Sequence, residues 1–394
     1  MKKNFNKMVF LLGFLFMLTG GVLYFYENNP YVYNTLSEAG IEMDILDSLG
    51  KWEGELTGGK YFTLVDEEEN ELDQTAHEVF TGDEFIIEDN NRYKVVRVDN
   101  ENYKATCQLV GKEEMPWLDE WDQVPVLDVA QGRNKVGIYM THTDESYIPT
   151  DGTESKPGNG GILKVGKALD SQLTNKGVQT DISLNKHDPH DANAYHRSRR
   201  TAVDLLKKNP IALIDVHRDG IPDPKFYATN VDGQDATKIR LVVGRQNPHM
   251  SANLEFAKQI KGYFDKKYPG MIKGIYMGKG NYNQDLGPRC ALIEVGTYTN
   301  SRTAAEKGVA IFADGIPRLL GAAGGGPAGD GPLPNTGAGT SLLWIVLVLI
   351  IGGGAFLLIS TGSWQESVRK ITNLGKEFSN YLGPVRSRRK KEDD

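Results

Sequence analysis

Cysteine is nearly absent: Cys107 and Cys290 are the only two in 394 residues and form no C-x-x-C pair, which argues against a zinc ribbon and against a disulfide framework. An excess of positive charge is missing as well. With a formal net charge of -7 and a pI near 5.6, the chain lacks the basic domain that nucleic-acid binders carry, so no nucleic-acid partner is expected. A small-x-small cleavage site is also lacking after the first apolar run, Met8 to Phe25, which holds no charged residue and follows Lys2 and Lys3. Residues 1–30 therefore read as an uncleaved N-terminal transmembrane anchor. What remains is ordinary for a globular protein: a 39% hydrophobic share, over a length that admits two domains.

A second apolar run, Ser341 to Ser360, has the roughly 20 residues a transmembrane helix needs. The tail 361–394 carries Arg386, Arg388, Arg389, Lys390 and Lys391, and such clusters mark the cytoplasmic side. The folded part is then expected at the cell membrane, with its catalytic domain on the extracytoplasmic side. Residues 321–340 are too rich in Gly and Pro to build a core and read as a linker. Within it, Leu333-Pro334-Asn335-Thr336-Gly337 resembles the LPxTG signal that sortases cleave, although the tail beyond the apolar run is longer than in that pattern.

Residues 51–115 hold short β-branched and aromatic runs, such as Tyr61-Phe62-Thr63-Leu64-Val65 and Val95-Val96-Arg97-Val98, separated by Asn, Asp and Gly. They predict a small β domain that serves as a spacer or binds substrate. Its His77 reads as an isolated surface or core histidine. From 130 to 320, strand and helix patterns alternate, which predicts an α/β catalytic domain whose mainly parallel sheet is flanked by helices. The strands are expected at Val136–Thr141, Val178–Leu184, Ile211–Val216, Ile239–Val243 and Ala291–Val295. Helical patterns cover Ile162–Leu173, Asn193–Lys208, Asn253–Tyr268 and Arg302–Leu320. In the third of these, Phe256, Ile260, Tyr263 and Phe264 share one face, as core residues do.

In such sheets, sites form at the carboxyl ends of strands, and three of those ends carry unusual residues. His142 and Glu145 follow the first strand. Asp215 and His217 share a face opposite Ile214 and Val216, while Glu294 stands between Ile293 and Val295. A charge in an apolar run must be paired, ligated or catalytic, because burying it bare is costly. Two histidines and two glutamates suit a hydrolytic zinc, which takes three protein ligands and leaves one position for water. His142, Glu145 and His217 are the candidate ligands and Glu294 the candidate general base. The loop Lys186-His187-Asp188-Pro189-His190-Asp191 could supply an alternative ligand. Arg199 and Arg218 are expected to position carboxylates or substrate.

The motifs Thr141-His142-Thr143-Asp144-Glu145-Ser146-Tyr147, Ala194-Tyr195-His196-Arg197-Ser198-Arg199, Ile214-Asp215-Val216-His217-Arg218-Asp219 and Ile293-Glu294-Val295-Gly296-Thr297 together resemble the stage II sporulation protein P family, over about residues 130 to 320. The resemblance implies a zinc-dependent (Zn2+) N-acetylmuramoyl-L-alanine amidase. Its substrate would be peptidoglycan, cleaved at the amide between N-acetylmuramic acid and the L-alanine of the stem peptide, with Asn281, Tyr282 and Asn283 expected to contact glycan. Broader amidase relatives place the ligand glutamate a dozen or more residues after the first histidine, which makes Glu154 the alternative to Glu145. The resemblance also implies a role in engulfment during sporulation, beside a membrane-bound lytic transglycosylase and a multispanning membrane protein. The second apolar run and the LPNTG sequence depart from the family pattern. Two other functions fit the residues alone: a zinc carboxypeptidase trimming stem peptides, and a non-enzymatic wall-binding surface protein.

Overall fold

The computed structural model describes residues 54–117, 135–231 and 233–322, with side chains through residue 320, all within the unit Pro30–Gly329. Among the described residues are thirteen strands: β1 (Phe62–Val65), β2 (Glu71–Thr75), β3 (Glu84–Ile86), β4 (Asn91–Asp99), β5 (Lys104–Lys112), β6 (Lys135–Tyr139), β7 (Gln179–Ile182), β8 (Ala212–Asp219), β9 (Ala228–Val231), β10 (Gln234–Thr237), β11 (Ile239–Gly244), β12 (Ile272–Gly278) and β13 (Cys290–Thr297). Four longer helices accompany them: α1 (Ile162–Asn175), α2 (Ala194–Leu206), α3 (Met250–Lys267) and α4 (Arg302–Ala322).

Eleven strands form one sheet in the order β2-β1-β5-β4-β3-β12-β11-β13-β8-β6-β7, while β9 and β10 pair separately. The sheet is mixed, which corrects the expectation of a mainly parallel one. β13, β8, β6 and β7 do run parallel to their neighbours in that group, but β11 runs antiparallel to β13, and β3 runs antiparallel to both β12 and β4. A second correction concerns the small β domain expected to precede the α/β part: its strands continue the same sheet through the β3–β12 pairing. The membrane-spanning helices expected at 1–30 and 341–360, and the tail 361–394, lie outside the described residues. Among the described residues, no helix is long and apolar enough to cross a membrane. The last described helix, α4, extends two residues into the expected linker 321–340.

Side-chain alternation divides the core. Ile214, Val216, Leu241, Val243, Ile293 and Val295 point to the face packed by the apolar sides of α1, α3 and α4, including Leu169, Ile260, Phe264 and Phe312. The intervening residues Val242 and Leu292 face the other way, onto Phe62, Leu64, Phe85, Val95 and Ala105 of the N-terminal strands. Those strands therefore fold back over the sheet. Ala76, just past β2, donates its N–H to Asp219 Oδ1 at the end of β8 at 3.2 Å, although β2 is the far edge of the hydrogen-bonded order. Burial on both faces explains why β8 is sequestered along its whole length. Its polar residues Asp215 and His217 face away from α1, α3 and α4, on the side where Tyr195 of α2 stacks on the His217 ring with centroids 6.0 Å apart.

Candidate metal centre

β6 ends at Tyr139, and the chain then runs through a wholly buried loop to Tyr147. The loop is held by close packing: Gly160 donates its N–H to Thr143 O at 2.9 Å, and a Cβ there would meet Glu145 O at 2.3 Å. Only glycine permits that approach. The loop delivers His142 and Glu145 against His217 of β8. Glu145 Oε1 lies 3.2 Å from His142 Nδ1 and 3.5 Å from His217 Nδ1, and its Oε2 accepts the Arg218 backbone N–H at 2.9 Å. On β13, Glu294 is the cross-strand partner of His217. Just beyond it, Gly296 sits at φ +70°, in a register shift between Glu294 and Thr297; a side chain there would be strained and would meet Thr237 Cγ2 at 2.7 Å.

The structure thus brings His142, Glu145, His217 and Glu294 together. Glu154, the alternative ligand, leaves its carboxylate exposed and contributes its backbone: its carbonyl accepts from Ser146 N–H and from the Arg218 guanidinium at 3.0 Å. Of the loop histidines, His187 is satisfied by Met140 O and Thr201 Oγ1 at 2.9 and 2.8 Å. His190 stacks on the His142 ring, with centroids 3.8 Å apart. Arg199 binds Asp285 through two hydrogen bonds of 2.8 and 2.5 Å. Tyr282 and Asn283 are buried, and the Asn283 amide donates to Tyr195 O and Ser198 Oγ at 3.0 and 3.1 Å. They support the core of the loop and do not form a glycan-facing surface.

Two residues of the site escaped sequence reasoning, and both come from the N-terminal strands. Glu55 forms an antiparallel bridge with His77. Its carboxylate lies 3.4 Å from His142 Nδ1 and 3.3 Å from His190 Nε2. His77 Nε2 lies 3.1 Å from Glu294 Oε1. Two groups of potential metal ligands result among the described residues: Glu55, His142, Glu145 and His217, and Glu55, His77 and Glu294, the donor atoms of each lying within 4.8 Å of one another. Nothing local marks either residue, since a lone histidine and a glutamate in a β-rich stretch carry no pattern.

Burial and charge oppose each other here. His142 is 2% exposed, His77 3%, and Glu145, His217 and Glu294 are fully enclosed. For Glu145, burial favours the neutral form, but His217, His142 and Arg218 outweigh it and bring the pKa down to about 2. Burial also works against a charged His217, yet Asp215 and Glu145 hold its pKa well above the ordinary value. Glu294 goes the other way: burial raises it, and His77 and His217 only partly offset that.

The donor set fits a divalent cation. His142 Nε2, His217 Nδ1, Glu55 Oε1 and Glu294 Oε2 are all buried without a hydrogen-bond partner, a costly state that a metal or its water would relieve. Asp215 Oδ1 stands 3.0 Å behind His217 Nε2, and the Asp215 carboxylate is itself fixed by Thr141, whose N–H donates to Oδ1 at 2.9 Å and whose hydroxyl donates to Oδ2 at 2.6 Å. A carboxylate behind a histidine is the usual support of a metal ligand.

Comparison with known proteins bears on what such a centre serves. A comparison with curated proteins gives no match. Among solved structures, the chain is similar to the CwlD amidase from Clostridioides difficile in complex with the GerS lipoprotein, at 13% identity and a TM-score of 0.33, covering 48% of this chain and 100% of that one. It is also similar to the N-acetylmuramyl-L-alanine amidase Ami1 from Mycobacterium smegmatis, at 19% identity and a TM-score of 0.30, covering 48% and 95%. Residues 53–317 match the family described as Stage II sporulation protein P (SpoIIP), a stretch that takes in more than half of the chain, including Glu55 and His77. The chain belongs to the stage II sporulation protein P family.

Proposed function

We propose that this protein is a zinc-dependent N-acetylmuramoyl-L-alanine amidase that remodels peptidoglycan during sporulation. Family membership supports the role, and the clustering of His142, Glu145 and His217 at one buried point, with Glu294 beside His217 in the sheet register, is the observation that carries the chemistry. His142, Glu145 and His217 would hold the zinc, which when bound polarises the scissile carbonyl and makes a water acidic enough to deprotonate near neutral pH. A hydrolytic zinc keeps one position open. Glu55, already shared with His190, would stay outside the ligand set and leave that position to water.

Glu294 serves as general base. Its partnerless Oε2 accepts a proton from the attacking water as the new bond forms to the amide carbonyl carbon. When the C–N bond breaks, Glu294 returns that proton to the L-alanine nitrogen, so the products are a muramic carboxylate and a stem peptide with a free amine. The rise in its pKa on burial suits a group that must hold the proton between the two steps. With such a substrate, the working face would lie on the extracytoplasmic side of the cell membrane. Nothing in the site favours the carboxypeptidase or wall-binding readings. Zinc-loaded full-length protein should release intact stem peptides from purified peptidoglycan, and a chelator should stop it. Loss of only a terminal amino acid would point to a peptidase instead.

A further inference from the structure

His77 sits 217 residues from Glu294 in sequence, yet the two share a buried contact at 3.1 Å. Its placement is fixed on several sides. The ring packs beside Tyr276 and Tyr282, with centroids 5.2 and 6.2 Å away. The backbone on either side is tied down: Ala76 N–H donates to Asp219 Oδ1, His77 N–H to Thr75 Oγ1 at 3.2 Å, and Glu78 N–H to Gly54 O at 2.8 Å. The strand itself is clamped by Arg240, which donates to Gln74 O at 2.6 Å and to Asp73 at 2.7 Å while standing opposite Glu294 across the β11–β13 pair.

A glutamate has two equivalent oxygens and three side-chain torsions, so a free one samples orientations that cannot take a proton from a fixed water. Holding one oxygen removes that freedom before the reaction starts. Here Oε1 is held, and Oε2 is the oxygen without a partner. We propose that His77 is a positioning residue for the amidase reaction: supplied by the N-terminal strands, it fixes Glu294 through Oε1 so that Oε2 is presented as the proton acceptor. The catalytic unit therefore includes the N-terminal β layer as a working part of the site. This inference rests on the reading of Glu294 as base.

The test compares full-length His77→Phe, which keeps a flat ring between the tyrosines but has no donor, with His77→Gln, which keeps a donor. Each is measured for zinc content, melting temperature, and kcat and KM on solubilised glycan strands bearing stem peptides, alongside Glu294→Gln. His77→Phe should lose about 10–100-fold in kcat, the usual effect of removing a supporting partner in a metal site, with zinc content and KM unchanged. His77→Gln should recover most of that loss. If His77→Phe does not fold, His77→Ala takes its place in the comparison. Equal losses in the donor and donor-free variants, a loss carried by KM, or wild-type kcat without the donor would overturn the inference. Near-normal turnover in Glu294→Gln would instead remove the base assignment on which it rests.

Discussion

His217 and Glu294 are cross-strand partners on the parallel pair β8–β13, so the proposed metal ligand and the proposed base are set by sheet register and not by loop conformation. Sites built on strands hold their geometry better than sites on loops. His142 and Glu145, by contrast, reach the site from a loop packed on Gly160. Replacing His142, Glu145 or His217 with alanine should abolish zinc binding, because each would remove one of the three proposed ligands. Glu154→Ala and Glu55→Gln should keep one zinc per chain. Metal analysis of the purified variants checks this, and zinc loss in Glu154→Ala but not in Glu145→Ala would show that the third ligand is misassigned.

Arg240 anchors the N-terminal strands to the sheet. It is 1% exposed, paired with Asp73 at 2.7 Å and Asp219 at 3.3 Å, and stacked near Phe226 and Tyr227. Burial opposes its charge, but Asp73, Tyr227 and Asp219 more than compensate and raise its pKa. Arg240→Met takes the guanidinium from two buried carboxylates, leaving Asp219 its hydroxyl and backbone donors and Asp73 the more distant cation Lys273 at 3.7 Å, and should cost about 3–5 kcal/mol of stability. Denaturant unfolding of the variant reads this directly, and an unchanged midpoint would show that the network anchors nothing.

His190 gives the fold a pH dependence in the metal-free protein. Burial disfavours its charged form, but Asp144 and Glu55, at 3.1 and 3.3 Å, outweigh it and raise its pKa from 6.5 to about 10. A raised folded pKa means that the folded state binds the proton more tightly. The stabilisation is therefore complete below about pH 6.5, the unfolded value, and lost as pH climbs toward 10. The melting temperature of His190→Gln should lie below wild type at pH 6, and the gap should close by pH 10. A gap that stays constant across that range would rule out the linkage.

Much of the site was legible because strands have a period of two. Asp215, His217 and Glu294 stood out as polar residues in apolar runs, and alternation alone placed Asp215 and His217 on one face. The helical stripe of Phe256, Ile260, Tyr263 and Phe264 was equally plain, and all four are core. Strand direction was not legible, since it depends on which strands meet. β12 went unseen because Lys273 and Gly274 interrupt its apolar pattern, and its pairing with β3 and β11 joins the two halves of the sheet. Glu55 and His77 were invisible for a related reason: their meaning comes from contacts made across the whole chain.

The account's central claim concerns which bond is broken. Purified peptidoglycan should be digested with zinc-loaded wild type and with Glu294→Gln, and newly formed N-terminal alanine, released C-terminal residues and new reducing sugar ends measured in the same samples. The account predicts that wild type generates N-terminal L-alanine and neither of the other products. Glu294→Gln should do so at least about a hundredfold more slowly, the lower end of a positioned general base's contribution. Release of C-terminal residues or reducing ends without N-terminal alanine, or equal rates for the two proteins, would contradict it.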